Sequence, residues 1–157
     1  MTVAKPIFLD TGFAIALLSP RDQFHSAARR LAAELRTDPA RIVTTDAVIF
    51  EIGAALAKQA WRPAAIRFIK ALRADPNVEI VATDPVLWQA AFDLFGARTD
   101  KEWSLTDGLS FVVMSRRDLT NALAADEHFR QAGFSAAHVG RVSKGRARPV
   151  MDGRWMG

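Results

Sequence analysis

The chain is predicted to fold as an α/β domain, with helices on both faces of a central, mostly parallel sheet of about five strands. Short apolar runs rich in β-formers alternate with longer stretches of helical period, the pattern of β-α units wound into a parallel sheet. The 157 residues, half of them apolar, suffice for one substantial core and are few for two. No internal repeat or low-complexity linker divides them.

The elements follow in order. "PIFLD" (6–10) and "RIVTT" (41–45) are short, β-rich and bounded by polar residues, so both are strands. "NVEIVAT" (77–83), "NALAAD" (121–126) and "AAHVG" (136–140) are the remaining candidates. "FAIALLS" (13–19) is a helix apolar nearly all round. "DQFHSAARRLAAELR" (22–36) sets Phe24, Ala27, Ala28, Leu31 and Leu35 on one face and its arginines on the other. "DAVIFEIGAALAKQA" (46–60) is a third helix, and "PAAIRFIKALRAD" (63–75) is a fourth, opened by Pro63. "DPVLWQAAFDLFG" (84–96) carries Asp84 as N-cap, Pro85 at its first position and Gly96 at its end. "LTDGLSFVVMSRR" (105–117) is the sixth. Ligands of such folds sit beyond the carboxyl ends of the strands.

Composition narrows the chemistry. There is no cysteine, which excludes disulfides and thiolate metal sites and fits a reducing cytoplasm. "MTVAKPIFLD" is not a signal peptide by pattern, and no apolar stretch approaches the ~20 residues of a membrane span. The net charge of +4 favours polyanions such as RNA. Five basic residues, Arg141, Lys144, Arg146, Arg148 and Arg154, crowd the C-terminal stretch against the single acid Asp152. Residues 1–140 are therefore assigned to the folded domain and 141–157 to a basic tail. The tail is either a solvated end or an arm that touches phosphates.

Four acids are hard to dismiss as surface charge. Asp10 closes the first strand and begins Asp-Thr-Gly, which also opens the catalytic loop of an aspartic protease. The tripeptide occurs once and runs into a helix, whereas that protease needs two such loops on an all-β frame. A simpler alternative for Asp10 is a helix N-cap. Glu51 lies in "AVIFEIGAAL" with Ile49, Phe50 and Ile52 beside it and Ala47, Ala54 and Ala55 on its helical face, where an unpartnered carboxylate is costly. Asp107 could be a first-turn acid on a helix capped by Ser104 or Thr106. Asp126 ends a strand and could cap the next turn. All four could converge on one edge of the sheet. Carboxylates gathered there repel one another unless they share protons or hold a cation, and an all-oxygen set selects Mg²⁺ or Mn²⁺. Such an ion in a basic protein suggests phosphodiester chemistry.

"FLDTGFAIALL", "TTDAVIFEIGAAL", "WSLTDGLSFVVM" and "ALAADEHFRQAGF" stand in the order and approximate spacing of a PIN-domain ribonuclease of the VapC-like toxin group. The resemblance covers roughly residues 6–140, and "WSLTDGLSFVVM" is its most specific segment. It implies a three-layer α/β/α fold. It also implies that Asp10, Glu51, Asp107 and Asp126 form the metal-binding quartet, with the hydroxyls of Thr11 and Thr106 in support. The activity implied is a Mg²⁺-dependent (Mn²⁺ possible) endoribonuclease on single-stranded or structured RNA. Metal-activated water attacks phosphorus to leave a 5′-phosphate and a 3′-hydroxyl. The expected partners are the RNA, a cognate antitoxin and a second copy in a homodimer, with no membrane. One departure is Ala124, where many relatives have Ser or Thr two residues before the last Asp.

Smaller features admit two readings. Arg116 and Arg117 either suit a helix C-terminus or contact phosphate, and Trp103, just before Asp107, either packs or stacks a base. Trp61 and Trp88 are read as packing or groove-border residues. His25, His128 and His138 lack ligand spacing, with only His128 close to a candidate acid. The apolar "FAIALL" is core by default and a dimer surface otherwise. Two other functions compete with the nuclease. A phosphoryl-accepting receiver needs an acid pair just after the opening strand and a Lys late in the fold, but Asp10 has no neighbouring acid and no Lys follows a late strand in the expected way. A catalytically silent PIN-fold module binding RNA or protein is given some room by Ala124.

Overall fold

The computed structural model describes residues 5–37 and 40–138. Five strands, β1 (Ile7–Leu9), β2 (Ile42–Thr45), β3 (Val78–Val81), β4 (Asn121–Ala124) and β5 (Ser135–His138), form one sheet in the order β3-β2-β1-β4-β5. Every pairing is parallel, so the sheet is wholly rather than mostly parallel. The chain winds outward from β1 to β3, then crosses back to β4 and β5. Right-handed crossovers wound in both directions put helices on both faces. Strand burial agrees: Phe8, Leu9, Ile42, Val43, Thr44, Thr45, Ala122, Leu123 and Ala124 are all buried, whichever way alternate side chains point. Edge strand β3 is only half-buried.

The helices are α1 (Thr11–Leu18), α2 (His25–Glu34), α3 (Asp46–Ala55), α4 (Arg62–Ala74), α5 (Pro85–Ala97), α6 (Leu105–Arg116) and α7 (His128–Gln131). Helix α1 gives most of "FAIALL" to the core through Phe13, Ala14, Ala16 and Leu17, with Ile15 and Leu18 half-buried. Helix α2 begins three residues later than predicted, and its buried side is Ala28, Ala32 and Leu35, with Phe24, Ala27 and Leu31 packed beside it. Nδ1 of His25 bonds the Ala16 carbonyl at 2.8 Å, tying α2 to α1. Helix α3 is shorter than its apolar pattern and ends at Ala55. Helix α6 is buried along most of its length, and Gly108 is what lets α5 approach: a Cβ there would lie 3.2 Å from the Ala91 carbonyl oxygen. Phe111 meets Trp103, Phe129 and Phe134, and Phe129 meets Phe8, so one aromatic chain joins α6, α7 and β1. Fully burying each such ring contributes about 1.5–3 kcal/mol.

Neighbours β1 and β4 diverge in direction of winding, so the carboxyl end of the sheet opens between them, where such folds bind ligands. Asp10 immediately follows β1, and Asp126 lies two residues after β4. The basic residues Arg141 to Arg154 lie outside the described residues, as does the side chain of His138.

Candidate active site

Asp10 is fixed from three sides. Its N–H donates to the Leu123 carbonyl of β4 at 3.0 Å. The preceding Leu9 carbonyl accepts from the buried Thr44 hydroxyl at 2.8 Å. Its carboxylate N-caps α1, accepting from the Gly12 N–H at 3.4 Å. The side chain is 3% exposed. Burial, then the charges of Asp107 and Asp126, push its pKa from 3.8 up to about 8, against the lowering effect of the Thr11 and Gly12 N–H groups.

The rest of Asp-Thr-Gly is equally committed. The Thr11 hydroxyl donates to Oε2 of Glu51 at 2.6 Å, bringing the α3 carboxylate to the N-terminus of α1. Gly12 permits the close approach of α1 to β4's exit: a Cβ on it would lie 3.0 Å from the Ala125 Cβ and 3.4 Å from the Ala125 nitrogen. Gly12→Ala should therefore cost about 1 kcal/mol or more by crowding, despite alanine's better helix propensity. Thermal melting checks this; a variant as stable as wild type would show that the contact relaxes harmlessly.

Asp107 is buried in the first turn of α6. Ser104 is the N-cap: its Oγ accepts from the Asp107 N–H at 3.0 Å, and Oδ2 of Asp107 accepts from the Ser104 N–H at 2.9 Å. The same Oδ2 lies 3.0 Å from Nδ1 of His128, which is 3.6 Å from Oδ2 of Asp126. The His128 N–H donates to Oδ1 of Asp126 at 3.0 Å. His128 thus stands between two acids as a bridging donor, a role its spacing in the sequence does not signal. The Thr106 hydroxyl makes no hydrogen bond among the described residues; its carbonyl accepts from the Ser110 hydroxyl at 2.9 Å.

Trp103 is 7% exposed, with its indole N–H donating to Oε1 of Gln131 at 3.0 Å. The Arg98 guanidinium lies over its ring and Phe111 against its edge. It is a packing residue that fastens α7, not an open platform for a base. Trp88 is exposed and stacked on Phe92, while Trp61 is half-buried at the start of α4. Arg116 and Arg117 end α6, about 15 Å along the helix from Asp107. Arg117 pairs with Glu79 at 2.5 Å. The structure therefore places these arginines at the opposite end of α6 from the acids.

Each acid thus has an ordinary structural bond. Capping alone, however, does not call for Asp10 to be buried against two further carboxylates. Among the described residues no three acid or histidine side chains are closed around a common point as a ready cation cage. The bonds explain this: Asp107, Asp126 and Glu51 each give an oxygen to a protein donor. The donor set is oxygen-rich and its most buried member is destabilised as an anion, which fits a hard divalent cation in kind and place. The tight Asp46 contacts lie elsewhere: Asp46 accepts from the N–H and hydroxyl of Thr83 and joins the ends of β2 and β3. Those hydrogen bonds hold its pKa below 3.8 even though burial opposes them.

A wholly parallel 3-2-1-4-5 sheet with acids at its switch point defines a class, and a PIN-domain family model matches residues 7–135. The chain belongs to the PIN-domain family. It is similar to the 23S rRNA-specific endonuclease VapC20 of Mycobacterium tuberculosis, from both the CDC 1551 / Oshkosh and the H37Rv strains. Identity is 31% over 128 residues, covering 82% of this chain and 95% of VapC20. The crystal structure of VapC20, a sarcin-ricin loop cleaving toxin, matches with a TM-score of 0.73 at 30% identity, over 82% of this chain and 95% of that one. No described helix is long and apolar enough to cross a membrane.

Proposed function

We propose that this chain is a metal-dependent endoribonuclease and the toxin of a toxin–antitoxin pair, acting in the cytoplasm. The observation that carries the reading is buried Asp10, its pKa raised to about 8 where Asp107 and Asp126 converge on it. The similarity to an rRNA endonuclease supports the substrate class. Asp10, Asp107, Asp126 and Glu51 are the residues that would hold Mg²⁺ or Mn²⁺. When bound, the ion supplies a Lewis acid that activates water and offsets charge gathering on the phosphoryl oxygens.

The chain's own residues prepare that site. Without a cation Asp10 keeps its proton at neutral pH, and cation binding would release it. Thr11 aims Glu51 inward through its hydroxyl. The Ser104 N–H and His128 hold the Asp107 carboxylate in one orientation, and the His128 backbone holds Asp126. Hydrolysis of the phosphodiester would leave a 5′-phosphate and a 3′-hydroxyl. Proposed partners are the RNA, an antitoxin and a second copy. Phe50 (77% exposed), Val86, Trp88, Phe92 and Phe95 provide apolar surface on α3 and α5 for protein partners.

The test is incubation with 23S rRNA, the substrate named for VapC20, with Mg²⁺ and with chelator. We expect discrete cleavage with 5′-phosphate ends that chelator stops. Intact RNA across rRNA and single-stranded substrates, with binding retained, would favour the catalytically silent module; chelator-resistant cleavage would remove the metal from the account.

A further inference from the structure

We propose that the solvent face of α4 is a phosphate-binding surface that grips the RNA backbone beside the acidic site. The inference deepens the nuclease reading and rests on it for the substrate class.

The first observation is where unopposed charge lies. Between Glu51 and Asp75 the chain carries five cations, Lys58, Arg62, Arg67, Lys70 and Arg73, and no acid. The other sixteen Lys and Arg are outnumbered by seventeen Asp and Glu, so this stretch turns the net charge positive.

The second observation is that these cations are exposed and unpaired. Helix α4 turns Ala65, Phe68 and Leu72 to the core and leaves the basic side chains in solvent. Among the described residues none of the five enters an ion pair, whereas Arg98 is spent on Asp100, Arg117 on Glu79 and Lys5 on Asp118. Arg62 donates from Nε to the Ala57 carbonyl at 2.8 Å, which holds its guanidinium at the start of α4. Arg67, Lys70 and Arg73 follow at three-residue steps and repel along the helix, and Arg62 lies in the first turn, where the dipole disfavours a cation. A polyanion laid on this face offsets both penalties and releases its own counterions. Ile66 is the one large apolar side chain exposed on α4, which gives a protein segment little to anchor on.

The third observation is position. Helix α3 packs against both α1 and α4, and its Glu51 meets Thr11 of α1 at 2.6 Å. Helical rise to Ala55 and three extended residues beyond it put Lys58 within about 17 Å of Glu51. The Trp61 and Arg62 N–H groups then close on the Lys58 carbonyl, both at 2.9 Å, and α4 begins. Its 13 residues run for about 20 Å. A strand held at the acids thus has a track of free cations within reach of its flank.

The experiment compares two triple variants of the full chain. One carries Arg67→Gln, Lys70→Gln and Arg73→Gln on α4. The other carries Arg29→Gln, Arg30→Gln and Arg36→Gln, which removes equal charge from exposed positions in and just beyond α2. Binding of a single-stranded oligoribonucleotide is measured across salt concentrations in an Asp10→Asn background, and cleavage is measured with Asp10 intact. The α4 variant should bind at least tenfold more weakly, and its slope of log affinity against log salt should flatten by about two, near 0.7 for each lost phosphate contact. Its KM for RNA should rise while kcat stays close to that of the parent. It should melt no lower than the parent, because it loses like-charge neighbours and glutamine suits a helix. The α2 variant should change affinity less than about threefold. Unchanged affinity and salt slope in the α4 variant would overturn the proposal and leave the face to an acidic protein partner. Equal losses in both variants would also overturn it, since RNA would then sense only net charge. Absence of cleavage by the parent chain strikes the nuclease reading instead, and the binding arm still decides the role of α4.

Discussion

Asp10→Asn is expected to stabilise the metal-free protein at pH 8 and, under assay conditions, to remove RNA cleavage. The two effects have one cause. In the unfolded chain the carboxyl titrates near 3.8, and in the fold burial followed by Asp107 and Asp126 raises this to about 8. Below pH 4 the group is neutral in both states and contributes nothing to the pH dependence. Between about 4 and 8 the unfolded chain releases its proton while the folded chain keeps it, so stability falls as pH rises. Above about 8 the full penalty is present, on the order of 5 kcal/mol at its upper limit. Asparagine keeps the N-cap on α1 and does not titrate, so the variant should lose this slope. Its cleavage should fall more than about 100-fold, since residues that merely support a ligand already cost 10–100-fold. Melting curves of both proteins in chelator across this pH range, beside a cleavage assay, check both halves. Parallel pH profiles would mean that Asp10 is not held against the other acids, and retained cleavage would remove it from the chemistry.

Phe129→Ala should have the largest effect on stability. Phe129 is fully buried on α7, 5.0 Å from the Phe111 ring and 6.0 Å from that of Phe8. Removing a buried ring costs about 3–5 kcal/mol, which in a chain of this size lowers Tm by roughly 10 °C. The functional consequence is more specific. Phe129 follows His128, whose ring and N–H hold Asp107 and Asp126, so loosening α7 should slow cleavage even below the melting transition. Phe129→Leu, which refills most of the volume, should restore much of both. Thermal unfolding and cleavage measured well below both transitions test the link. An alanine variant that melts low yet cleaves at the wild-type rate would separate α7 from the site.

The sequence carried the alternation of strands and helices, and with it the parallel sheet, because that pattern is written in local periodicity. The convergence of Asp10 and Asp126 was legible for the same reason: both follow strands, and the winding brings β1 and β4 side by side. The supporting bonds were less legible. Thr11 meets Glu51 across forty residues, and His128 meets Asp107 across twenty-one, distances over which spacing says nothing. Helix α7 is four residues long, too short for a periodic signal, so the element that sets His128 read only as a turn. Trp103 shows the limit of proximity in sequence. It stands four residues before Asp107, yet the demand to bury an indole and satisfy its N–H on Gln131 turns it into the core.

The central claim is that acids from the ends of β1 and β4 and from the first turn of α6 form one site completed by a hard divalent cation. Mn²⁺ binding at neutral pH, followed by electron paramagnetic resonance on the wild type and on the Asp10→Asn and Asp126→Asn variants, tests it most directly. The account predicts saturable binding by the wild type, displaced by Mg²⁺ and lost or greatly weakened in each variant. Equal Mn²⁺ affinity in all three proteins, or none in the wild type, would contradict it.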